Sequence, residues 1–395
     1  MKDDLFIEME YAQLTKEGQA ACGDHVQLLT LEKENRSIAA LSDGLGSGVK
    51  ASVLANMTTT MAVRFLQSDL DLLQAVEIIM DSLPICEVRK ISYATFSLMD
   101  FRYGGMAKII EMGNPEYIHL RGTEEVPPVF EEKIVSRHWP DREVRRCEIS
   151  LEPGDRIVLC SDGVTQAGLG SGVREYRFGW RRAGLLDFVK ERIQTAPDIS
   201  SAQLARSIVN TARNIPPGKC LDDTTALVIY LREPRVLRIL TGPPYYKESD
   251  QEFARLANLG FEHVIVCGGT TANILERILG VPVTLDISAF RNSGGLPPPG
   301  VIQGIALATE GILTLSKVET ALESGKLTGQ PAAVQSILNR MMEHDRIEFA
   351  VGTKVNESHQ DPSVPQDLEL RRSVVRRIAA LLEHKHRKAT TINFY

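Results

Sequence analysis

Four acidic positions in the chain share one local pattern. Asp24 follows Gly23 at the start of an apolar run, and Asp43 closes another run and precedes Gly44. Asp162 follows Ile157-Val-Leu-Cys160 and precedes Gly163, and the pair Asp222-Asp223 opens the run Thr224–Tyr230. A carboxylate at a strand end, beside a glycine that lets backbone or ligand come close, suits a hard cation. Several such carboxylates brought together would repel one another unless divalent ions stood among them. Oxygen ligands without His or Cys favour Mg²⁺ or Mn²⁺ over zinc. Taken singly, an Asp-Gly at a strand end also reads as an ordinary turn. Its recurrence at four places is what favours the metal reading.

The elements that must position these carboxylates are legible around them. Val26–Leu31 and Ser37–Leu41 read as strands ahead of the Gly-rich turn Asp43–Gly48. Val49–Leu66 and Leu70–Leu83 carry helical apolar spacing, through Val53, Met57, Met61 and Phe65 and then Leu72, Leu73, Val76, Ile79 and Met80. Tyr93–Asp100, Ala107–Met112, Tyr117–Arg121, Arg156–Cys160 and Thr225–Leu231 read as further strands, with Gly184–Ile193 and Ser201–Arg213 as helices. Strands in runs with grouped helices predict an α+β sandwich. The rhythm changes near Arg232-Glu-Pro-Arg235, which predicts a first domain over 1–233 and a second over 236–395. In the second, Val236–Thr241, His263–Val266 and Val281–Leu285 read as strands, and Ser249–Leu259 and Ala272–Leu279 as helices. That alternation predicts a three-layer α/β unit with parallel strands, interrupted by the Pro/Gly-rich stretch Gly294–Gly300.

The bulk numbers narrow the class. A chain of 395 residues exceeds one ordinary core, and 43% hydrophobic with 24% charged residues is globular composition. A net charge of −6 argues against nucleic acid as partner. No apolar run approaches the roughly 18 residues that span a bilayer, and Met1-Lys2-Asp3-Asp4 is unlike a secretory signal, so the expectation is a cytoplasmic protein. The six cysteines (Cys22, Cys86, Cys147, Cys160, Cys220, Cys267) include no C-x-x-C pair and read as ordinary buried thiols.

In order and spacing, Cys22-Gly-Asp24, Leu41-Ser-Asp-Gly-Leu-Gly-Ser-Gly48, Tyr93-Ala-Thr-Phe96, Met112-Gly-Asn-Pro115, the stretch Leu151–Ala167 and Asp222-Asp-Thr-Thr225 resemble the metal-dependent (PPM-type) serine/threonine protein phosphatases. The resemblance is to their SpoIIE-like branch; it covers residues 8–231, and Leu151–Ala167 is its most specific part. It implies an α-β-β-α sandwich, a central β-sandwich flanked by helices, with two Mn²⁺ or Mg²⁺ ions at one edge. On the matched positions Asp43 would bridge both metals and Gly44 would offer its carbonyl to one. Asp24 would sit on or near the first metal, with Asp162 and Asp222 completing the second site. Asp223 falls where the family carries Asn or Asp. Asp43 and Asp162 would be central to catalysis. The implied reaction is dephosphorylation of a phosphoprotein by direct attack of a hydroxide held between the metals, without a phosphoenzyme. Consistently, no cysteine stands in a C-x₅-R arrangement. The two helices after Gly48 match a pair implicated in switching in this branch.

Two departures matter. Where wider relatives place an Arg ahead of the first Asp to hold phosphate, this chain has only Lys16, with Gln19 near the expected place; phosphate would then be held by metals alone. His25 adjoins Asp24, but strand neighbours point to opposite faces, so His25 reads as structural.

Other features carry paired readings. Arg174, Arg177, Arg181 and Arg182, interleaved with Tyr176, Phe178 and Trp180, form either a phosphopeptide-docking loop or a solvated segment with its aromatics tucked in. Val264-Ile-Val-Cys-Gly-Gly-Thr-Thr-Ala-Asn273 runs from strand through Gly268-Gly269 into a helix, which reads as a small-anion site or as turn-plus-cap chemistry. On Leu370–Leu382, Leu370, Val374, Val375, Ile378, Leu381 and Leu382 share one face, while Arg371, Arg372, Arg376, Arg377, Lys385, Arg387 and Lys388 are basic. This suggests a domain-packing helix or a membrane-surface one. His263, His344, His359, His384 and His386 read as dispersed or part of the basic tail. Three functional readings follow: a phosphoprotein phosphatase in a bacterial signalling circuit with a regulatory second domain, a catalytically silent binding module on the same fold, and a hydrolase of a small phosphoester.

Overall fold

Apolar strand runs in the first half of the chain build two antiparallel sheets that face each other. The computed structural model describes residues 5–31, 34–82, 94–102, 105–130, 132–135, 143–285, 297, 299–354, 365–386 and 388–395. It divides into two units, Met1–Glu233 and Pro234–Tyr395. In the first unit one sheet has the order β2 (Asp24–Leu31), β3 (Arg36–Gly44), β4 (Ala94–Arg102), β5 (Met106–Met112), β9 (Glu143–Ser150), β8 (Glu132–Val135). The other runs β1 (Phe6–Leu14), β11 (Thr224–Arg232), β10 (Asp155–Cys160), β6 (Ile118–Arg121), β7 (Glu124–Glu125).

Strand β3 shows why the layers form. Its Ala39 and Leu41 join the core between the sheets, with Met99, Ile109, Ile157, Leu227 and Ile229. Its Ile38 and Ala40 face the other way, under helices α1 (Val49–Gln67) and α2 (Leu72–Ser82). A strand covered on both faces reads as a continuous apolar run. On the far side, α4 (Arg181–Thr195) and α5 (Ser201–Asn214) cover Val158 and Val228 through Leu185, Val189, Leu204 and Ile208. The result is the α-β-β-α sandwich.

Helix α1 buries a different stripe from the one its large apolar residues suggest. Ala51, Ala55, Thr58, Thr59, Ala62, Val63 and Leu66 face inward, whereas Val53 and Met57 are about half exposed, at 51% and 48%. Small residues let the helix lie close to β3, which large ones would prevent. Strands β1, β7, β8 and β9 lie outside the expected ones; each has charged residues in its run. Leu83, Cys86, Tyr93, His359, Arg387 and positions 294–296 and 298 lie outside the described residues. Cys147, Cys160 and Cys267 are buried thiols, but Cys22 and Cys220 are only partly buried.

The second unit is a seven-stranded sheet in the order β14 (Val283–Leu285), β15 (Gly300–Ile302), β16 (Ala306–Thr309), β13 (Val264–Cys267), β12 (Val236–Thr241), β17 (Arg346–Val351), β18 (Ala389–Phe394). Strands β16 to β18 in that order are parallel. Helices α6 (Asp250–Arg255) and α7 (Gly269–Leu279) pack on one face, and α8 (Ile312–Ser324), α9 (Ala332–Glu343) and α10 (Pro365–His386) on the other. Three expectations need correcting. The segment Val281–Leu285 is not the third parallel strand: β14 pairs antiparallel with β15 at the edge, and β16 takes the parallel place. The helix expected over Ser249–Leu259 ends at Arg255. Nor are all the histidines dispersed. His263 Nδ1 lies 2.8 Å from His344 Nε2, and His344 Nδ1 lies 2.6 Å from the Arg340 carbonyl, which makes it the donor there. Burial pushes His344 down to about 4, so it stays a neutral member of the pair. Helix α10 is a packing helix: Val374, Val375, Ile378 and Leu382 are buried, and Arg377 and Lys385 bond to Glu319 and to the Glu323 carbonyl on α8. Among the described residues no helix is long and apolar enough to cross a membrane.

Candidate metal centre

The acidic positions arrive at one edge of the sandwich from both sheets. Pairing of β2 with β3 sets Asp24 opposite Asp43, and pairing of β3 with β4 sets Asp43 opposite Thr95. On the other sheet, the Ser161 N–H donates to the Thr225 carbonyl and the Thr225 N–H to Ser161 Oγ, both at 3.0 Å. That exchange brings Asp162, the first residue of the short helix α3 (Asp162–Thr165), beside the Asp222-Asp223 approach to β11. Thr225 Oγ1 then joins the sheets by donating to Asp24 Oδ2 at 2.7 Å. Gln13 Nε2 supports it, donating to Thr225 Oγ1 at 3.1 Å and to the Asp24 carbonyl at 2.9 Å.

Two of the glycines are required by close approach. A Cβ on Gly44 would stand 2.2 Å from the Ala51 carbonyl oxygen of α1, and one on Gly163 would stand 2.1 Å from the Asp223 carbonyl oxygen. Contacts that short cannot exist, so any side chain there would push α1 or the start of β11 away from the acids. The Gly-rich turn after Asp43 is therefore a packing device as well as a turn.

The electrostatics are those of acids crowded without enough counter-charge. Burial first, then the charges of Asp24, Asp162 and Asp222, push Asp43 up to about 9. Burial also raises Asp24, to about 7, despite hydrogen bonds from Ser161 and Thr225 that favour its charged form. Asp162 is raised as well, by burial and by Asp222. Among the described residues two buried oxygens, Asp24 Oδ1 and Asp223 Oδ2, have no hydrogen-bond partner, while Asp223 Oδ1 accepts from the Lys16 N–H at 2.9 Å. Lys16 brings its ammonium to 3.5 Å from Asp222 Oδ1, but both side chains are more than a third exposed, where an ion pair is worth little. Among the described residues no three of His, Cys, Asp or Glu stand close enough together to hold a metal ion as they are. The arrangement is instead an open cluster of hard oxygen donors with orphaned buried oxygens and raised pKa values. A divalent hard cation fits that donor set, supplying the missing partner and the missing charge.

The remaining predicted residues fall around the cluster. His25 turns onto α1, its Nδ1 2.7 Å from Thr59 Oγ1, away from the acids. The arginine-rich loop divides between its two readings. Arg182 is bound inward to Glu125 at 2.7 Å and to the Tyr117 carbonyl at 3.0 Å, and Trp180 packs edge-on against Phe188. Arg174, Arg177, Arg181 and Phe178 are exposed. Sequence reasoning gave no role to Gln13, Ser161, Thr225 or Asn114. Asn114 bonds Thr95 and donates to Ser97 Oγ at 3.1 Å, bracing the strand opposite Asp43. The available signal was that Ser161, Thr225 and Asn114 lie inside the recurrent motifs.

Residues 33–232 match the family described as Stage II sporulation protein E (SpoIIE). Solved structures similar to the chain include the PP2C phosphatase domain, with a fragment of the regulatory domain, of the cell-fate determinant SpoIIE from Bacillus subtilis. That match has 19% identity and a TM-score of 0.48, covering 58% of this chain and 63% of that one. RsbX in complex with magnesium matches at 18% identity and a TM-score of 0.40, over 57% of this chain and 95% of that one. The catalytic domain of the serine/threonine protein phosphatase PstP, in complex with two manganese ions, matches at 16% identity and a TM-score of 0.38, over 58% and 100%. No curated protein matches the chain.

Proposed function

Since this chain belongs to the SpoIIE family of PPM-type phosphatases, we propose that its first unit is a Mn²⁺- or Mg²⁺-dependent phosphatase acting on phosphoserine or phosphothreonine of a partner protein in a bacterial signalling circuit. The observation that carries this reading is the cluster itself. Asp24 and Asp43 at the edge of one sheet lie within electrostatic reach of Asp162, Asp222 and Asp223 beside the other, and two of their buried oxygens lack partners among the described residues. Asp24, Asp43, Asp162, Asp222 and Asp223 would hold the ions, with the Gly44 carbonyl as a further ligand. When bound, such ions neutralise phosphoryl oxygens and make water a nucleophile near neutral pH. The chain's own residues hold the ligands: Thr225 and Ser161 orient Asp24, Gln13 orients Thr225, and Gly44 and Gly163 keep the elements close. The second unit, residues 236–395, is read as regulating the first rather than adding a reaction.

The test is phosphate release from phosphopeptides and an aryl phosphate with Mn²⁺, with Mg²⁺ and with excess chelator. Activity should appear only with added metal, and Asp43→Asn or Asp162→Asn should cost at least about 10² in turnover. Full activity in chelator would end this reading. Release from nucleotides or sugar phosphates but from no phosphopeptide would make it a small-phosphoester hydrolase.

A further inference from the structure

At the carboxyl edge of the parallel sheet in the second unit, two glycine turns lie side by side. Strands β13 and β16 end in register, Cys267 beside Thr309. The Gly268 N–H donates to the Thr309 carbonyl at 2.9 Å. A Cβ on Gly311 would stand 3.3 Å from Gly268 Cα, so the two turns touch through backbone alone. Each leads into a helix, and the two helix starts differ. On α8, Glu310 Oε2 accepts from the Thr314 N–H at 3.2 Å, so that start already has its own anion. On α7 the cap is Gly268, with no capping side chain and no acid in the first turn. As first-turn residues, Gly269 and Thr271 have N–H groups with no intrahelical acceptor, at the positive end of the helix dipole.

A second observation points into the same hollow. Thr271 is completely buried, yet its Oγ1 has no hydrogen-bond partner among the described residues. It faces the space beside Gly268, where a Cβ would lie 3.6 Å from Oγ1, and the space beside Gly269 is open to at least 4 Å. Buried hydroxyls are rarely left without a partner, because the lost hydration is not recovered.

We propose that this hollow binds a phosphoryl oxyanion of a small phosphorylated ligand. Its oxygens take the Gly269 and Thr271 N–H groups and the Thr271 hydroxyl. Glycine at 268 keeps a side chain out of the oxyanion's place, as in other strand–turn–helix phosphate cradles. The carboxyl edge is also where open parallel sheets take their ligands.

The experiment uses the full chain in excess chelator, so that no metal at the acid cluster retains phosphate. Inorganic phosphate and ADP are titrated separately by calorimetry, with thermal melting alongside. Both should bind saturably to the native chain. Gly269→Glu places a carboxylate in the mouth where there is room for it, at a helix start that acids stabilise. It should keep or raise the melting temperature while weakening binding at least about tenfold. Gly269→Ala should bind as the native chain does, and Thr271→Val should fold but bind about tenfold more weakly. ADP binding at least about tenfold tighter than phosphate assigns a nucleotide, and equal affinities assign free phosphate. No saturable binding of either probe, or equal binding by native, Gly269→Glu and Thr271→Val chains, overturns the site.

Discussion

Thr225→Val removes one hydroxyl while keeping the branched shape that a strand interior prefers. In the native chain that hydroxyl donates to Asp24 Oδ2 at 2.7 Å and accepts from Gln13 Nε2 at 3.1 Å. Without it, a carboxylate that is only 2% exposed, and whose Oδ1 has no hydrogen-bond partner among the described residues, loses the bond to its Oδ2. A hydrogen bond to a buried charged group is worth about 1.5–3 kcal/mol. That range converts to roughly tenfold or somewhat above a hundredfold in an equilibrium constant. Residues that orient metal ligands from behind show losses of the same order, about 10–100-fold in metal affinity or activity. The expected result is a rise of about tenfold or more in the Mn²⁺ concentration that half-saturates aryl-phosphate hydrolysis. The same shift should appear in direct calorimetric Mn²⁺ binding. Thr225→Ser, which keeps the donor, should stay close to native. Unchanged Mn²⁺ dependence in a folded Thr225→Val chain would refute the idea that this hydroxyl sets the Asp24 ligand.

Two further outcomes are expected. A fragment of residues 1–235 should melt cooperatively and keep metal-dependent aryl-phosphate hydrolysis, because each proposed ligand and the three cores of the sandwich lie within it. A folded fragment that binds no Mn²⁺ would show that the site was assigned wrongly. Asp155 tests the far end of the sandwich. Burial alone would raise its pKa, but bonds from His119 at 2.9 Å, Arg121 at 3.0 Å and the Glu152 N–H outweigh it and bring it to about 2, below the ordinary 3.8. The stability this provides, roughly 2 kcal/mol, is present above about pH 4 and is lost as pH falls toward 2. Asp155→Asn should therefore be less stable than native in urea melts at pH 6, with the gap closing near pH 2. A gap that stays constant over that range would rule out this linkage.

By itself the sequence determined what local chemistry can encode. The long strands and helices of the first unit carry continuous apolar runs or helical apolar spacing, and the Asp-Gly pairs mark where those strands end. Their order, together with Leu151–Ala167, identified the family and with it the sandwich. What local pattern does not carry is which elements meet. The apolar positions of α1 predicted a helix, but the face that packs is its Ala and Thr stripe, because closeness to β3 counts for more than side-chain size. The segment 281–285 looked like a third parallel strand, yet strand pairing is a choice among distant partners, and β16 took that place. His263 and His344, 81 positions apart, meet only because the strands they lead into, β13 and β17, both pair with β12. The acids make the same point most directly. Asp24 and Thr225 lie 201 positions apart, and only the packing of one sheet on the other closes the 2.7 Å bond between them. The residue types at a site are set by its chemistry and can be read one by one. The distances between them are set by long-range packing, which no local stretch of chain contains.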